Sequence, residues 1–481
     1  MEYYPPKSEQ KRLARYKTNE KIFLGEHFDA FTIKSSEFAK DYAQLKYVVC
    51  NFGGMLSKLS ADMLFQEFPT LSLGEKGDKE WLEAFIRDNK FKTQAYESAL
   101  EGSFRGDALF RLRSFNGIMY LEDINPACYF PKYNENNLRA EPEYEDLAWE
   151  VSLGNNRRGM YVERHYKGRV ETMLYEIETT GEVKAKLNIK DYYPDIEEVV
   201  KTGVDYSSLL FHIPNYKINS RFFGIDDYYD LMSIFFAVNN RMTKIDNILD
   251  KHGDPILAVP DGFLDEDGKV NRAAFGVIEV DTNEKQMMPQ YIVWDAKLEA
   301  AYDEIDKLVE MLFMVSETST AAIGMDKNGA AESGRALKFK LLRTIAKKNR
   351  KQLYYDDVFK QMFKVAQDFA KANKLTTQSG VKFTKEVEDL QIEWSDGVIN
   401  DIQEMIDYEV QRIKNGLTSR TDAIQRLDGV SEDEAQKRLD AINAEKKVQQ
   451  EANAPKFTAT PRPFGVGAVN NEVVNNGQQS N

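Results

Sequence analysis

Residues 225–252 read IDDYYDLMSIFFAVNNRMTKIDNILDKH, and residues 296–317 read AKLEAAYDEIDKLVEMLFMVSE. In both stretches apolar residues recur every three or four positions, which is the spacing of one face of an α-helix. The first stripe comprises Leu231, Ile234, Phe235, Val238, Met242, Ile245, Ile248 and Leu249. The second comprises Leu298, Ala301, Tyr302, Ile305, Leu308, Val309, Leu312 and Phe313. Each stretch is therefore predicted to form a helix whose apolar face packs against another element.

The composition is typical of a folded protein: 42% of the 481 residues are apolar and 30% are charged. The formal net charge of −14 argues against a protein that grips DNA phosphates, but it is compatible with one that surrounds DNA without holding it. No apolar run approaches the roughly 20 residues of a membrane span, and the polar N-terminus does not resemble a signal peptide. Two cysteines set no disulfide framework, which favours folding in the cytoplasm.

The N-terminal part of the chain is predicted to combine helices with an antiparallel sheet. Helices are expected within residues 1–70, including one over 38–64, and over 79–89 and 91–106. From residue 107 to about 213 the apolar pattern changes to period two, which is typical of strands. Asn116-Gly117 stands between two such runs and predicts a tight hairpin. The fold class is therefore α+β and mainly helical.

The C-terminal part continues with a small insert, a loop and further helices. Short strands are predicted within 253–295, and the small residues and glycines of 318–332 predict a flexible loop. One long helix is predicted over 333–374, then a strand region, then helices over 399–414, 419–427 and 431–449. Proline, glycine, asparagine and glutamine dominate from residue 451, which predicts a disordered tail.

The sequence carries no motif that marks a catalytic or metal site. It contains no cysteine and histidine residues at the spacing of zinc ligands. It also contains neither a phosphate-binding loop motif nor a nucleophile-elbow motif. We therefore expect neither enzymatic activity nor a cofactor. The order of helix, β insert, helix, loop and basic helix favours a ring subunit around a channel over a globular enzyme.

Several short motifs, in this order and spacing, resemble the portal proteins of tailed bacteriophages of the siphovirus type. They are Leu59-Ser60-Ala61-Asp62-Met63-Leu64-Phe65 with Phe68-Pro69, Gly106-Asp107-Ala108, Asn125-Pro126, Tyr129-Phe130-Pro131, Phe223-Gly224-Ile225-Asp226-Asp227-Tyr228, Asp254-Pro255-Ile256-Leu257 and Ser333-Gly334-Arg335-Ala336-Leu337-Lys338. The resemblance covers about residues 10–450. Glu67 and Asp227 stand where many relatives carry glycine or serine.

The resemblance implies a division of the chain into the parts of a portal subunit. They are a wing (1–224, with the long helix 333–374 and the strand region 375–398), stem helices (225–252 and 296–317), a clip (253–295), a tunnel loop (318–332), a crown (399–450) and a disordered tail (451–481). It also implies a ring, usually of twelve copies, at one capsid vertex of the virion, made in the bacterial host cytoplasm. Double-stranded DNA would pass through the channel, and the implied partners are the terminase large subunit, a head-completion adaptor, and capsid and scaffolding proteins, with no membrane.

Two features near the implied channel are candidates for contact with the passing DNA. The second stem helix carries an excess of acids that would repel phosphate if it faces the bore; the alternative is a solvated helical face. These acids are Glu299, Asp303, Glu304, Asp306, Glu310 and Glu317. By family position the loop would project into the bore, or it is an ordinary linker between helices. Its central residues are Gly324, Met325, Asp326, Lys327, Asn328 and Gly329.

Two further sets of residues are candidates for contacts between proteins. Cations at the start of the long helix would touch DNA or pair with acids of the neighbouring subunit. They are Arg335, Lys338, Lys340, Arg343, Lys347 and Lys348. Apolar residues of the clip would contact neighbouring clips, the terminase or an adaptor, or form the core of the insert. They are Phe263, Leu264, Phe275 and Val277. Two other functions stay open: a head–tail connector without a packaging role, and a DNA-processing enzyme such as a nuclease.

Overall fold

The computed structural model describes residues 3–31, 47–253, 256–258, 290–292, 298–325, 334–395 and 402–453. These residues form two compact units, which divide between Val398 and Ile399. The fold is α+β, as the sequence predicts. None of the described helices combines the length and the apolar character needed to cross a membrane.

The described α-helices that open the first unit are α1 (Gln10–Leu24), α2 (His27–Ala30), α3 (Phe52–Phe65), α4 (Lys79–Asp88) and α5 (Phe91–Arg105). Side chains accept from backbone N–H groups that have no partner within the helix at two of these helix starts, since Asn51 accepts from Gly54 and Asp78 accepts from Trp81. The predictions over 79–89 and 91–106 are confirmed. The helix predicted over 38–64 is confirmed from Phe52 onward, but the prediction is wrong for residues 47–51. There the N–H groups of Val48 and Cys50 donate to the side chains of Thr243 and Asn239 instead of to a preceding turn. Residues 32–46 lie outside the described part.

Strand β2 (Asp107–Phe115) is the centre of a three-stranded antiparallel sheet. It pairs with β3 (Ile118–Asp123) on one side and with β10 (Leu210–Pro214) on the other. Asn116 and Gly117 connect β2 to β3, and both have positive φ angles (51° and 76°), as a two-residue hairpin turn requires. The predicted hairpin is confirmed.

A larger six-stranded antiparallel sheet lies between β3 and β10 in the chain. Its strands are β4 (Tyr129–Lys132), β5 (Tyr144–Gly154), β6 (Arg157–Tyr166), β7 (Arg169–Ile177), β8 (Val183–Leu187) and β9 (Val199–Lys201). They follow the order β4-β5-β6-β7-β8, and β9 pairs with β7. The period-two pattern of residues 107–213 is thus confirmed as antiparallel structure.

Two long helices correspond to the two stretches quoted first in the sequence analysis, and a short strand pair belongs to the insert between them in the chain. The helices are α6 (Met232–Gly253) and α7 (Leu298–Val315), and the strands β11 (Ile256–Ala258) and β12 (Gln290–Ile292) pair antiparallel between them. The prediction that the first helix begins at residue 225 is wrong. Asp226 Oδ1 accepts a bond from the N–H of Tyr228, and the N–H of Asp227 donates to the carbonyl of Ser103, so the chain makes a turn there instead.

The long helix of the first unit is interrupted once. The structure has α8 (Gly334–Lys340) and α9 (Leu342–Asn373), so the prediction of one continuous helix over 333–374 is wrong at Leu341. The N–H groups of Leu341 and Ile345 still donate to carbonyls four positions back, which keeps the two helices in register. Finally, β13 (Gln391–Glu393) pairs antiparallel with β1 (Thr70–Ser72).

The main core of the first unit lies between α9, the helices α3 to α5 and the three-stranded sheet. Its largest side chains are aromatic: Trp81, Phe85, Phe91, Phe110, Phe359 and Phe363. Because the C-terminal half of α9 contributes to this core, its position relative to α3 and α5 is set by close packing.

The second unit comprises α10 (Ile402–Lys414), α11 (Arg420–Asp428) and α12 (Glu432–Asn453). The three predicted helices are confirmed. Glu409 on α10 is buried and receives two hydrogen bonds of 2.9 Å from Arg426 on α11. This bidentate ion pair holds the two helices together.

Candidate functional site

The candidate site is the junction where α6, α7 and the loop after α7 meet the start of α9. The apolar faces of α6 and α7 pack against each other: Leu312 and Phe313 of α7 share a buried cluster with Phe235 and Val238 of α6. Helix α1 and helix α3 close this cluster through Ile22 and Leu56. The amphipathic stripes of the sequence therefore form the core of a helix pair.

Four of the six predicted lining acids form one exposed stripe on α7. Glu299, Asp303, Asp306 and Glu310 follow each other at intervals of four, three and four residues, so they share a helix face. All four side chains are exposed, and none forms an ion pair with another described residue. The stripe lies opposite the buried residues Ile305 and Leu312. It therefore concentrates negative charge on the solvent side of the helix pair.

The other two predicted lining acids are held in ion pairs within the chain. Glu304 accepts a hydrogen bond of 2.9 Å from Arg241, which ties α7 to α6. Glu317, just after α7, pairs with Arg350 of α9. Because their charges are partly compensated, these two acids contribute less to the negative field than the four acids of the exposed stripe.

A buried cluster of charged and polar groups surrounds Asp227, which precedes α6. Its Oδ2 accepts from Lys351 Nζ at 2.5 Å and from Ser103 Oγ at 2.6 Å. Its Oδ1 lies 3.3 Å from Lys347 Nζ and accepts from Asn215 Nδ2 at 3.1 Å. The cluster thereby joins the turn before α6 to α5, to α9 and to Asn215, the residue that follows β10.

Burial and charge act in opposite directions on the ionisation of this cluster. Burial raises the pKa of Asp227, but Lys347 and Lys351 outweigh it, so the carboxyl has a pKa well below its ordinary value. Burial lowers the pKa of Lys351 to about 8, although Asp227 opposes that change. Both groups are therefore charged at neutral pH, and Lys347 and Lys351 together compensate the charge of Asp227.

Hydroxyl groups extend the cluster to α3. Lys351 Nζ also donates to Ser60 Oγ at 2.6 Å. The hydroxyls of Ser103 and Ser57 are 3.0 Å apart, and because Ser103 donates its one proton to Asp227, it accepts from Ser57. The hydroxyls of Ser57 and Tyr228 are 2.7 Å apart. Asp227 is thus part of a continuous hydrogen-bond network across four elements, which positions the start of α6.

The predicted basic residues fall into different environments. Lys348 is buried and donates to the carbonyl of Ser395, and Lys347 donates to the carbonyl of Ser316 at 3.1 Å in addition to its contact with Asp227. These two lysines thus hold α9 within its own subunit. Arg343 is exposed on α9, Lys338 and Lys340 lie on α8, and the side chain of Arg335 is outside the described residues.

The part of the predicted tunnel loop that is described is short and anchored at its beginning. The N–H of Ser319 donates to Thr344 Oγ1 at 2.8 Å, and a single 3₁₀ turn, Thr320–Ile323, follows. Gly324 ends this turn with a φ of +72°, a conformation that favours glycine, and Met325 is exposed. The remaining central loop residues and the clip residues lie outside the described part: Asp326, Lys327, Asn328, Gly329, Phe263, Leu264, Phe275 and Val277.

The sequence analysis did not predict that Asp227 and its partners form a buried cluster that positions the start of α6. Two signals were present: two adjacent acids inside an apparently helical stretch, and two lysines, Lys347 and Lys351, one helical turn apart. Glu67 also makes a bond across the fold, since it accepts from Ser395 Oγ. Among the described residues, no group of three histidine, cysteine or carboxylate side chains is arranged to hold a metal ion.

A comparison with protein-family models matches residues 6–452 to a model described as phage portal protein, SPP1 Gp6-like. The matched region begins before α1 and ends within α12, so it includes both units. A search of curated proteins found no significant match.

Proposed function

Since this chain belongs to the SPP1 Gp6-like family of phage portal proteins, we propose that it is one subunit of a ring through which double-stranded DNA is packaged and ejected. The family is structural rather than enzymatic, and it implies an oligomeric ring at a capsid vertex. The family match over residues 6–452 is the observation that carries the proposal. In this role the chain is a conduit for DNA and a docking platform, and it performs no catalysis.

In the proposed ring, α6 and α7 form the stem, and the stripe acids Glu299, Asp303 and Asp306 face the bore. Twelve such stripes would surround the duplex with carboxylates. The repulsion between carboxylate and phosphate is screened over about 8–10 Å at physiological salt, so it remains effective in a narrow channel. DNA would then be kept from adhering to the wall, which allows it to slide in both directions.

The buried Asp227 cluster supports this role because it fixes the stem on the wing. Forces on moving DNA act on the stem, whereas the wing would be held in the capsid wall. Two sets of ion pairs connect α9 to the ends of the stem helices. Lys347 and Lys351 pair with Asp227, just before α6. Arg350 pairs with Glu317, just after α7. Both stem helices are therefore attached to the same helix at their wing ends.

The remaining proposed parts follow the family plan. Residues 253–295 would form the clip, which docks the terminase large subunit during packaging and a head-completion adaptor afterwards. Residues 399–450, the second unit, would form the crown. The wing, residues 1–224 with 333–374 and 375–398, would contact capsid and scaffolding proteins.

Imaging of the purified chain by negative-stain electron microscopy tests the proposal. We expect rings with a central hole, and analytical ultracentrifugation should give a mass that is a whole multiple of the 55.3 kDa subunit. The capsids of a phage that carries this chain should then contain the ring at one vertex. A chain that stays monomeric at high concentration and in the presence of scaffolding protein would contradict the proposal.

A further inference from the structure

One face of α8 and α9 carries exposed apolar side chains at the spacing of a coiled-coil seam. Its positions are Phe339, Leu342, Ala346, Asn349 and Leu353, separated by three, four, three and four residues. Phe339, Leu342 and Leu353 are 68%, 60% and 67% exposed, and Ala346 and Asn349 are exposed as well. Large apolar residues with this spacing and this exposure indicate a surface that packs on another helix.

The opposite face of the same helices is already occupied within the subunit. Leu341, Thr344, Lys348, Lys351 and Tyr355 are all buried there. The contacts of Lys348 and Lys351 with Ser395 and Asp227 prevent rotation of α9 about its axis. The exposed seam therefore cannot turn inward, and its partner must come from outside the described fold of this subunit.

A second exposed apolar patch lies at the C-terminal end of α7. Met311, Met314 and Val315 are 47%, 78% and 42% exposed, and the acidic residue Glu310 adjoins them. Methionine side chains are flexible and adapt to irregular partner surfaces. The ion pair of Glu317 with Arg350 and the bond of Ser319 to Thr344 hold the end of α7 against α9, so this patch also remains on the surface of the single subunit.

The two patches are different from each other and complementary in charge. A ring built from identical subunits requires contacts of this kind, in which one surface of a subunit meets a different surface of the next. The apolar seam is flanked by the exposed cation Arg343, and the methionine patch is flanked by the carboxylate Glu310. Neither Arg343 nor Glu310 forms an ion pair with another residue that the structure describes.

We propose that the seam of α8 and α9 in one subunit packs on the methionine patch of α7 in the next subunit, with Arg343 opposite Glu310. This inference rests on the proposed ring and identifies the surfaces that build it. It leaves Glu299, Asp303 and Asp306 toward the bore, because they lie nearer the N-terminal end of the same helix. The partner is a second copy of this chain.

The double variant Leu342→Lys with Leu353→Lys tests the seam. Each charge would be buried without a partner in the contact, so the fraction of subunits in rings should fall at least about tenfold at equal concentration. The circular dichroism spectrum and the midpoint of thermal unfolding of the monomer should be unchanged, because both positions are exposed. The matched control is Phe115→Lys with Val199→Lys, since these residues are 59% and 54% exposed and lie away from the seam. The control should form rings as the wild type does.

A charge exchange tests the pairing itself. Arg343→Glu alone should weaken ring formation, and addition of Glu310→Arg in the same chain should restore it. If the double variant Leu342→Lys with Leu353→Lys forms rings as well as the wild type does, the proposed contact through the seam is overturned while the portal function stays intact. If the added Glu310→Arg substitution does not restore ring formation to the Arg343→Glu variant, the pairing of Arg343 with Glu310 is overturned. A wild-type chain that forms no rings would instead remove the proposed function, and this inference with it.

Discussion

Lys351 Nζ on α9 donates a hydrogen bond of 2.5 Å to Oδ2 of Asp227, which lies in the turn before α6. The two side chains are only 4% and 1% exposed. Removing two charges from water costs free energy that their attraction roughly offsets, so such a pair adds little net stability. Its effect is on geometry, because either charge alone in this environment is strongly unfavourable and both elements must stay in contact.

Lys351→Met should destabilise the protein by about 1.5–3 kcal/mol, because Asp227 loses a buried charged hydrogen bond and keeps only Lys347 as a compensating charge. Urea unfolding of the isolated subunit, followed by circular dichroism, measures this change in the free energy of unfolding. Lys360→Met is the matched control. Lys360 forms a half-exposed pair with Asp356 one turn away on the same helix, and its loss should cost no more than about 0.5 kcal/mol.

The double variant Asp227→Asn with Lys351→Met distinguishes a charge effect from a packing effect. An amide in place of the carboxylate removes the charge that Lys351→Met leaves compensated by Lys347 alone, so the double variant should recover part of the stability that Lys351→Met loses. A double variant that is less stable than Lys351→Met would show that the packing of the lysine side chain, rather than its charge, is what matters.

Reversal of the exposed acidic stripe should impair packaging without loss of rings. In the variant Glu299→Lys, Asp303→Lys and Asp306→Lys, three cations per subunit would bind phosphates in the bore, and the rate of DNA packaging should fall by about tenfold or more. A rise in salt concentration should restore part of the rate, because it screens this attraction.

The control for the stripe variant is a second triple variant that changes the net charge by the same amount at a different place on the surface. Asp191, Asp195 and Glu197 are exposed acids in the connection between β8 and β9. Their replacement by lysine should leave the packaging rate near that of the wild type. Normal packaging by the stripe variant would mean that repulsion by these acids plays no part in DNA passage.

Deletion of residues 324–329 should leave ring assembly intact and reduce DNA packaging or the retention of packaged DNA. The anchor of the loop at Ser319 and Thr344 lies outside the deletion, so the end of α7 keeps its contact with α9. Replacement of the same six residues by a glycine–serine sequence of equal length shows whether the loop acts through its side chains or its length. A deletion variant that packages and retains DNA fully would exclude a role for this segment.

Asp123 should make the stability of the protein depend on pH. Burial, reinforced by Glu101 and Glu97, raises the pKa of this carboxyl to about 8, and it lines a cavity of about 600 Å³ with these acids. The folded chain therefore keeps a proton up to about pH 8 that the unfolded chain releases near pH 4. Between these values the unfolded state binds fewer protons, so the free energy of unfolding decreases as the pH rises.

Asp123→Asn should remove this contribution. Relative to the wild type, the variant should gain stability as the pH rises from 4 to 8, by up to about 5 kcal/mol at pH 8, since each pKa unit corresponds to about 1.4 kcal/mol. Urea unfolding at a series of pH values measures the difference. Asp191→Asn, an exposed carboxyl, is the control and should follow the wild-type curve. A curve for Asp123→Asn that runs parallel to that of the wild type would show that Asp123 is already ionised in the folded chain at neutral pH.

The sequence predicted those elements that short-range patterns specify. Three of these patterns involve only residues close together in the chain, so they can be recognised without knowledge of the fold. They are the apolar stripe through Phe235 and Val238, the period-two alternation before Leu210 and the turn dipeptide Asn116-Gly117. The start of α6 was misplaced for the converse reason. Asp227 bonds to Ser103 and Lys351, each 124 positions away, and no local pattern shows that these contacts replace helix.

The same distinction applies to the candidate site. The sequence by itself determined that α7 is an acidic, amphipathic helix followed by a glycine-containing loop and a basic helix, because charge and periodicity are properties of the residues alone. Only the tertiary structure decided which charges remain exposed. Glu304 is paired with Arg241, 63 positions away, and Lys348 is buried against Ser395, whereas Asp303 and Arg343 face solvent. The physical reason is that the effect of a charge depends on its burial and its partner, and packing between distant segments sets both.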